Sequence, residues 1–99
     1  CRVVLEGRAL TGYLTDLSEG GARVTSDAEP PVALQAVTLE LRIGRVPARS
    51  RLSAKVAWVK TDGGGAIFGL SFAELPAEQH KALTTVVAEF KRLADEIAS

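Results

Sequence analysis

Apolar and polar residues alternate most cleanly from Val37 to Ile43, where Val37, Leu39, Leu41 and Ile43 are separated by Thr38, Glu40 and Arg42. A period of two predicts a strand with one buried face and one wet face. Gly44-Arg45-Val46-Pro47 breaks it, and a longer strand is predicted over Arg51–Lys60. Asp62-Gly63-Gly64-Gly65 then supplies the turn of a hairpin. Its second arm, Ala66–Phe72, places Phe68, Leu70 and Phe72 on one face. Burying those side chains stabilises the fold by roughly 1.5–3 kcal/mol each, a large fraction of a small domain's net stability. Ahead of this block, Val3–Glu6 reads as a short strand, Gly7-Arg8 as a turn and Leu10–Asp16 as a second strand. A third starts after Gly21 and ends near Ser26. Asp27–Pro31 is a loop, because consecutive prolines deny a sheet its backbone donors.

At Leu75-Pro76 the period changes. Proline is tolerated at the first helical position, and Glu78 suits the first turn. Leu83, Val86, Phe90, Leu93 and Ile97 recur at 3-4-3-4 spacing, with Val87 and Ala94 widening the stripe. That spacing predicts an amphipathic helix. Six short strands followed by one helix make a mainly β domain: a six-stranded antiparallel, split β-barrel with a C-terminal α-helix. The chain reads as a single domain over 1–99, with the barrel at about 2–73 and the helix at about 76–97. The helical stripe also permits a homodimer through the C-terminal helix, although packing on the barrel is the default.

Composition removes several function classes. Twelve basic residues balance twelve acidic ones, so no global field recruits nucleic acid or an anionic membrane. No apolar run is long enough to span a bilayer, and no signal peptide is recognisable, so neither membrane insertion nor export is expected. One cysteine, Cys1, cannot staple the fold, and the natural setting is reducing and cytoplasmic. The chain contains no methionine and reads as a segment of a longer protein. Few aromatics argue against a single-strand nucleic-acid platform.

No catalytic constellation is visible, and an enzyme is not expected. The single histidine, His80, falls among Glu78, Gln79 and Lys81 at the helix start, where a solvated role is favoured. No Cys/His cluster has metal-ligand spacing, so neither a metal nor a cofactor is expected. The stretch that carries chemistry is Leu14–Val24, LTDLSEGGARV. Asp and Ser fold turns on themselves by accepting backbone hydrogen bonds, and paired glycines permit φ > 0 or a close backbone approach. A carboxylate, a hydroxyl and glycine N–H groups therefore converge on one small site at Asp16, Ser18, Gly20 and Gly21. Such a cluster suits the donor edge of a purine and a phosphate. The alternative is that Asp16 and Ser18 only cap their own turn. Trp58, between Ala57 and Val59, reads as core rather than as a base-stacking surface. From Arg42 to Lys60 six basic residues occur with no acidic one, read first as a solvated face and second as an anion-binding one.

Asp16-Leu17-Ser18-Glu19-Gly20-Gly21 resembles the D/N-x-S-x-x-G signature of PilZ domains, and Ala54–Val59 and Phe68–Phe72 resemble that family's later strands. The resemblance covers roughly residues 4–75, with a helix following. It implies a PilZ-like six-stranded barrel with a C-terminal helix. It also implies a bacterial signal-transduction domain that binds the nucleotide messenger cyclic di-GMP and passes the signal to a neighbouring domain or partner protein. Asp16, Ser18, Gly20 and Gly21 are then the ligand-binding residues. One departure stands out: the R-x-x-x-R motif that PilZ receptors carry ahead of the Asp is absent from residues 1–15, where Arg2–Glu6 does not match it. Two expectations follow: either the motif lies just ahead of Cys1 in a longer protein, or this is a degenerate PilZ domain that binds no nucleotide and works as a protein–protein interaction module.

Overall fold

The computed structural model describes residues 1–5, 8–27, 30–46 and 49–98. The strands are β1 (Arg2–Leu5), β2 (Arg8–Thr11), β3 (Tyr13–Leu17), β4 (Gly21–Ser26), β5 (Ala36–Leu41), β6 (Ser50–Asp62) and β7 (Gly65–Ser71), followed by the helix α1 (Ala77–Ala98). Among the described residues they form one seven-stranded sheet in the order β2-β1-β5-β6-β7-β4-β3, every pairing antiparallel. The mainly β fold with a terminal helix is as the sequence predicts, but the strand count is seven rather than six. The predicted strand Leu10–Asp16 is two strands, β2 and β3, separated by Gly12. Arg8, predicted as part of a turn, opens β2; Glu6, Gly7 and Pro47, to which other predictions extend, lie outside the described residues.

Gly12 explains the split. β2 and β3 are the two edges of the sheet, yet one residue separates them in the chain, so the sheet must curl until its edges meet there. The ladder itself does not close, which makes this a split barrel. Gly12 N–H donates to the Cys1 carbonyl at 3.0 Å and Cys1 N donates back at 2.9 Å. A Cβ on Gly12 would lie 2.7 Å from Val24 Cγ1 and 2.9 Å from the Thr25 carbonyl, so only glycine fits the corner.

Two bulges re-aim side chains. Register shifts between Leu14 and Asp16 on β3, and between Val56 and Trp58 on β6. At each, two successive residues face outward, Thr15 with Asp16 and Ala57 with Trp58, where strict alternation would bury one of them. The barrel interior holds Val3, Val24, Leu39, Leu52, Val56 and Phe68, none of them accessible to solvent.

Helix α1 seals the barrel with Leu83, Val86 and Val87. Beyond Lys55, where β7 has ended, Ser53 N–H donates to Gln79 Oε1 of α1 at 2.8 Å in place of a strand partner. Further along, Glu89 is buried and accepts from the backbone N–H of Arg45 and from Arg92 Nε. The predicted stripe is not buried throughout: Phe90 and Leu93 are half-buried, and Ile97 is 87% exposed because the last turns run past the barrel.

Candidate functional site

The β3–β4 hairpin turns through Ser18–Gly21, closed by Ser18 N–H donating to the Gly21 carbonyl at 2.8 Å. Ser18 Oγ accepts from Gly20 N–H at 3.3 Å, the local turn bond that serine favours. Asp16 Oδ1 accepts from Leu17 N–H at 2.9 Å, leaving Oδ2 without a partner among the described residues. Both side chains therefore brace their own loop, and both remain exposed. Capping and availability to a ligand are compatible here, because each group uses only part of its bonding capacity.

Of the two roles the sequence leaves open for the paired glycines, close approach is the one the structure uses, at Gly21. Neither Gly20 nor Gly21 has a positive φ. Gly21 is required by close approach, since a Cβ there would run into the Leu70 carbonyl of the neighbouring strand. Gly20 lies at the exposed tip with no side-chain space contested, and its carbonyl accepts from Phe72 N–H at 3.1 Å.

Asp16, Ser18 and Gly21 come together in a cleft of about 230 Å³ on the outer face of the sheet, with Arg23, Trp58 and Gly69 among its other walls. Gly20 is not part of its lining. Trp58 was expected in the core; it is 43% exposed because the Ala57 bulge reverses its parity, and its indole covers Gly69. Arg23, which sequence reading did not single out, stands directly across the ladder from Asp16. A turn closed at Ser18–Gly21 places 17 opposite 22 and 16 opposite 23, so the hairpin signal contained that pairing. Trp58 had no equivalent signal, because a bulge is set by the partner strand.

Two further cavities adjoin the cleft. One of about 370 Å³ shares Arg23 and Trp58 and adds Thr15, Thr25, Lys60 and Ile67. The largest, about 570 Å³, meets the cleft at Ala57 and runs over β6 between Leu34 and Glu74. Those two are the described non-glycine residues with left-handed backbone, at φ 69° and 55°. The predicted basic run divides: Arg51 pairs at 3.0 Å with the buried Glu40, which also lies 3.8 Å from Arg2, whereas Lys60 joins the site face. Among the described residues no three His, Cys, Asp or Glu side chains are grouped as metal ligands would be.

The fold is a mainly β split barrel with one C-terminal helix, and a carboxylate, a hydroxyl and an aromatic ring line one cleft on its outer face. The PilZ domain family model matches residues 1–89, and the chain belongs to the PilZ family. Comparison with curated proteins gives no match. PilZ is a binding rather than a catalytic family, and cyclic di-GMP is its ligand, not a cofactor.

Proposed function

We propose that this domain, read as one folding unit over 1–99, is a cyclic di-GMP receptor whose ligand is seated at the Asp16 cleft. The observation that supports it best is the meeting of Asp16, Ser18 and Gly21 in one exposed cleft beside Trp58. Guanine N1–H and N2–H₂ are donors, and the open Asp16 Oδ2 accepts them in charge-assisted bonds. Ser18 Oγ keeps one lone pair to accept from the base, and its O–H, which donates to the Gly21 carbonyl at 3.4 Å, can turn to a phosphate instead. Gly21 keeps the wall bare, and the exposed indole face of Trp58 offers a stacking surface for a purine.

In this reading the domain is a bacterial, cytoplasmic signal-transduction module that hands the bound state to a neighbouring domain or partner protein. No helix among the described residues is long and apolar enough to cross a membrane. Calorimetric titration of the full-length protein with cyclic di-GMP is the test. Asp16→Ala and Ser18→Ala are expected to weaken binding with the fold retained; unchanged affinity in both removes the site assignment. No saturable binding by the unsubstituted protein favours the degenerate interaction module, a reading motivated by Arg2 facing Glu40 on β5 rather than the cleft.

A further inference from the structure

We propose that Arg23 and Lys60, beside Trp58, form a phosphodiester compartment that extends the Asp16 cleft. The proposal rests on the reading of that cleft as a guanine site. Small-molecule sites usually enclose about 300–1,000 Å³, so a cleft of about 230 Å³ accommodates only part of a dinucleotide. The adjoining cavity of about 370 Å³ shares the Arg23 and Trp58 walls, and the two together fall within that range.

The chemistry of this second compartment is complementary to the first. Cyclic di-GMP carries two phosphodiester charges, and Asp16 adds a third negative charge on the protein side, so cations must lie close. Arg23 is held in place by a reciprocal clip: its Nε donates to Thr15 Oγ1 at 3.3 Å, and Thr15 Oγ1 donates to the Arg23 carbonyl at 3.1 Å. The clip uses one of the five guanidinium donors and leaves the terminal nitrogens for a planar, forked contact with phosphate. Lys60 stands on the same wall with Thr25 and Ile67. Neither Arg23 nor Lys60 forms an ion pair with a described carboxylate, whereas Arg2 and Arg51 converge on Glu40 and Arg92 on Glu89 and Glu96. Of the basic run from Arg42 to Lys60, it is Lys60 that lines this cavity. The sheet face itself thus supplies phosphate-neutralising donors independently of any arginine pair ahead of Asp16.

The protein contains one tryptophan, so quenching of its emission reports ligand beside Trp58 directly. The experiment titrates the full chain with cyclic di-GMP, with guanosine and with guanosine 5′-monophosphate at two salt concentrations, circular dichroism verifying the fold of each variant. Arg23→Gln and Lys60→Gln are each expected to weaken cyclic di-GMP binding by about tenfold and to flatten its salt dependence. The monophosphate is expected to bind the unsubstituted protein more tightly than guanosine, and both variants are expected to lose that advantage. Arg23→Lys keeps part of it. Asp16→Ala is expected to weaken guanosine and its monophosphate alike. Unchanged affinity and salt dependence in Arg23→Gln and Lys60→Gln, with Asp16→Ala impaired, overturns the compartment and leaves the guanine site standing. Impaired Arg23→Gln beside an unaffected Asp16→Ala supports the compartment and overturns the guanine site. Absence of quenching by any of the three ligands overturns both.

Discussion

Trp58 covers Gly69, its cross-strand neighbour on β7: a Cβ built on Gly69 would enter the indole at Nε1. The glycine thus creates the shelf on which the ring rests, and the ring separates the Asp16 cleft from the Arg23–Lys60 cavity. Gly69→Ala forces the indole off this shelf. The expected outcome is a red-shifted tryptophan emission together with about tenfold weaker cyclic di-GMP binding. Affinity that survives the spectral shift would remove Trp58 from the binding surface.

How far these features were legible depended on the range of the signal. Val37, Leu39 and Leu41 are buried as their alternation predicts, as are Phe68, Leu70 and Phe72, because burial of an alternating face is written in the strand's own residues. The turn at Ser18–Gly21 and the exposure of Asp16 and Ser18 followed from side chains that bond their own backbone. Trp58 was misplaced because counting by two from Val56 puts it inside, and the extra residue Ala57 exists only relative to β7. Gly12 was absorbed into a predicted strand, since nothing local distinguishes a strand glycine from a corner where two sheet edges meet. For Gly20 and Gly21 the sequence leaves a positive φ and a close approach both open; what decides for close approach at Gly21 is the Leu70 carbonyl, a neighbour 49 residues away in the chain.

The Gly12 corner yields a stability prediction. Gly12→Ala drives a methyl group to within 2.7 Å of Val24 Cγ1 and 2.9 Å of the Thr25 carbonyl, and a carbonyl held in a ladder cannot swing aside. Overpacking of this kind costs about 1–3 kcal/mol. Urea denaturation followed by circular dichroism is expected to show a midpoint lowered accordingly, with the denaturant slope unchanged. A neutral outcome would mean that β2 and β3 are not locked together at this corner.

Acid provides a separate probe of the helix attachment. The Glu89 carboxyl is lowered from 4.5 to about 2, first by the hydrogen bond from the Arg92 side chain and then by the one from the Arg45 backbone N–H. Between those values the unfolded chain binds a proton at this position that the folded chain does not. The stabilisation is therefore fully present above about pH 4.5 and is lost as the pH falls toward 2. Glu89→Gln is expected to lower the urea midpoint at pH 7 and to narrow the gap from the unsubstituted protein as the solution is acidified. A gap that stays constant from pH 7 to pH 2.5 would show that the carboxylate does not hold α1 to the loop carrying Arg45.

The helix itself is tested by contrasting two members of one stripe. Leu83 is 1% exposed beneath α1, and Ile97, on the same 3-4 spacing, is 87% exposed. Truncating a sealed leucine leaves a cavity, so Leu83→Ala is expected to cost about 2–5 kcal/mol. Ile97→Ala removes atoms already in water and is expected to change stability by less than about 0.5 kcal/mol if the barrel is the only surface the stripe meets. Denaturation at several protein concentrations separates this from self-association. A loss at Ile97 that grows with protein concentration would identify the distal turns as a seam between two copies, since only a second copy couples stability to concentration. Equal losses at both positions, independent of concentration, would instead mean that the last turns fold back onto the barrel in solution.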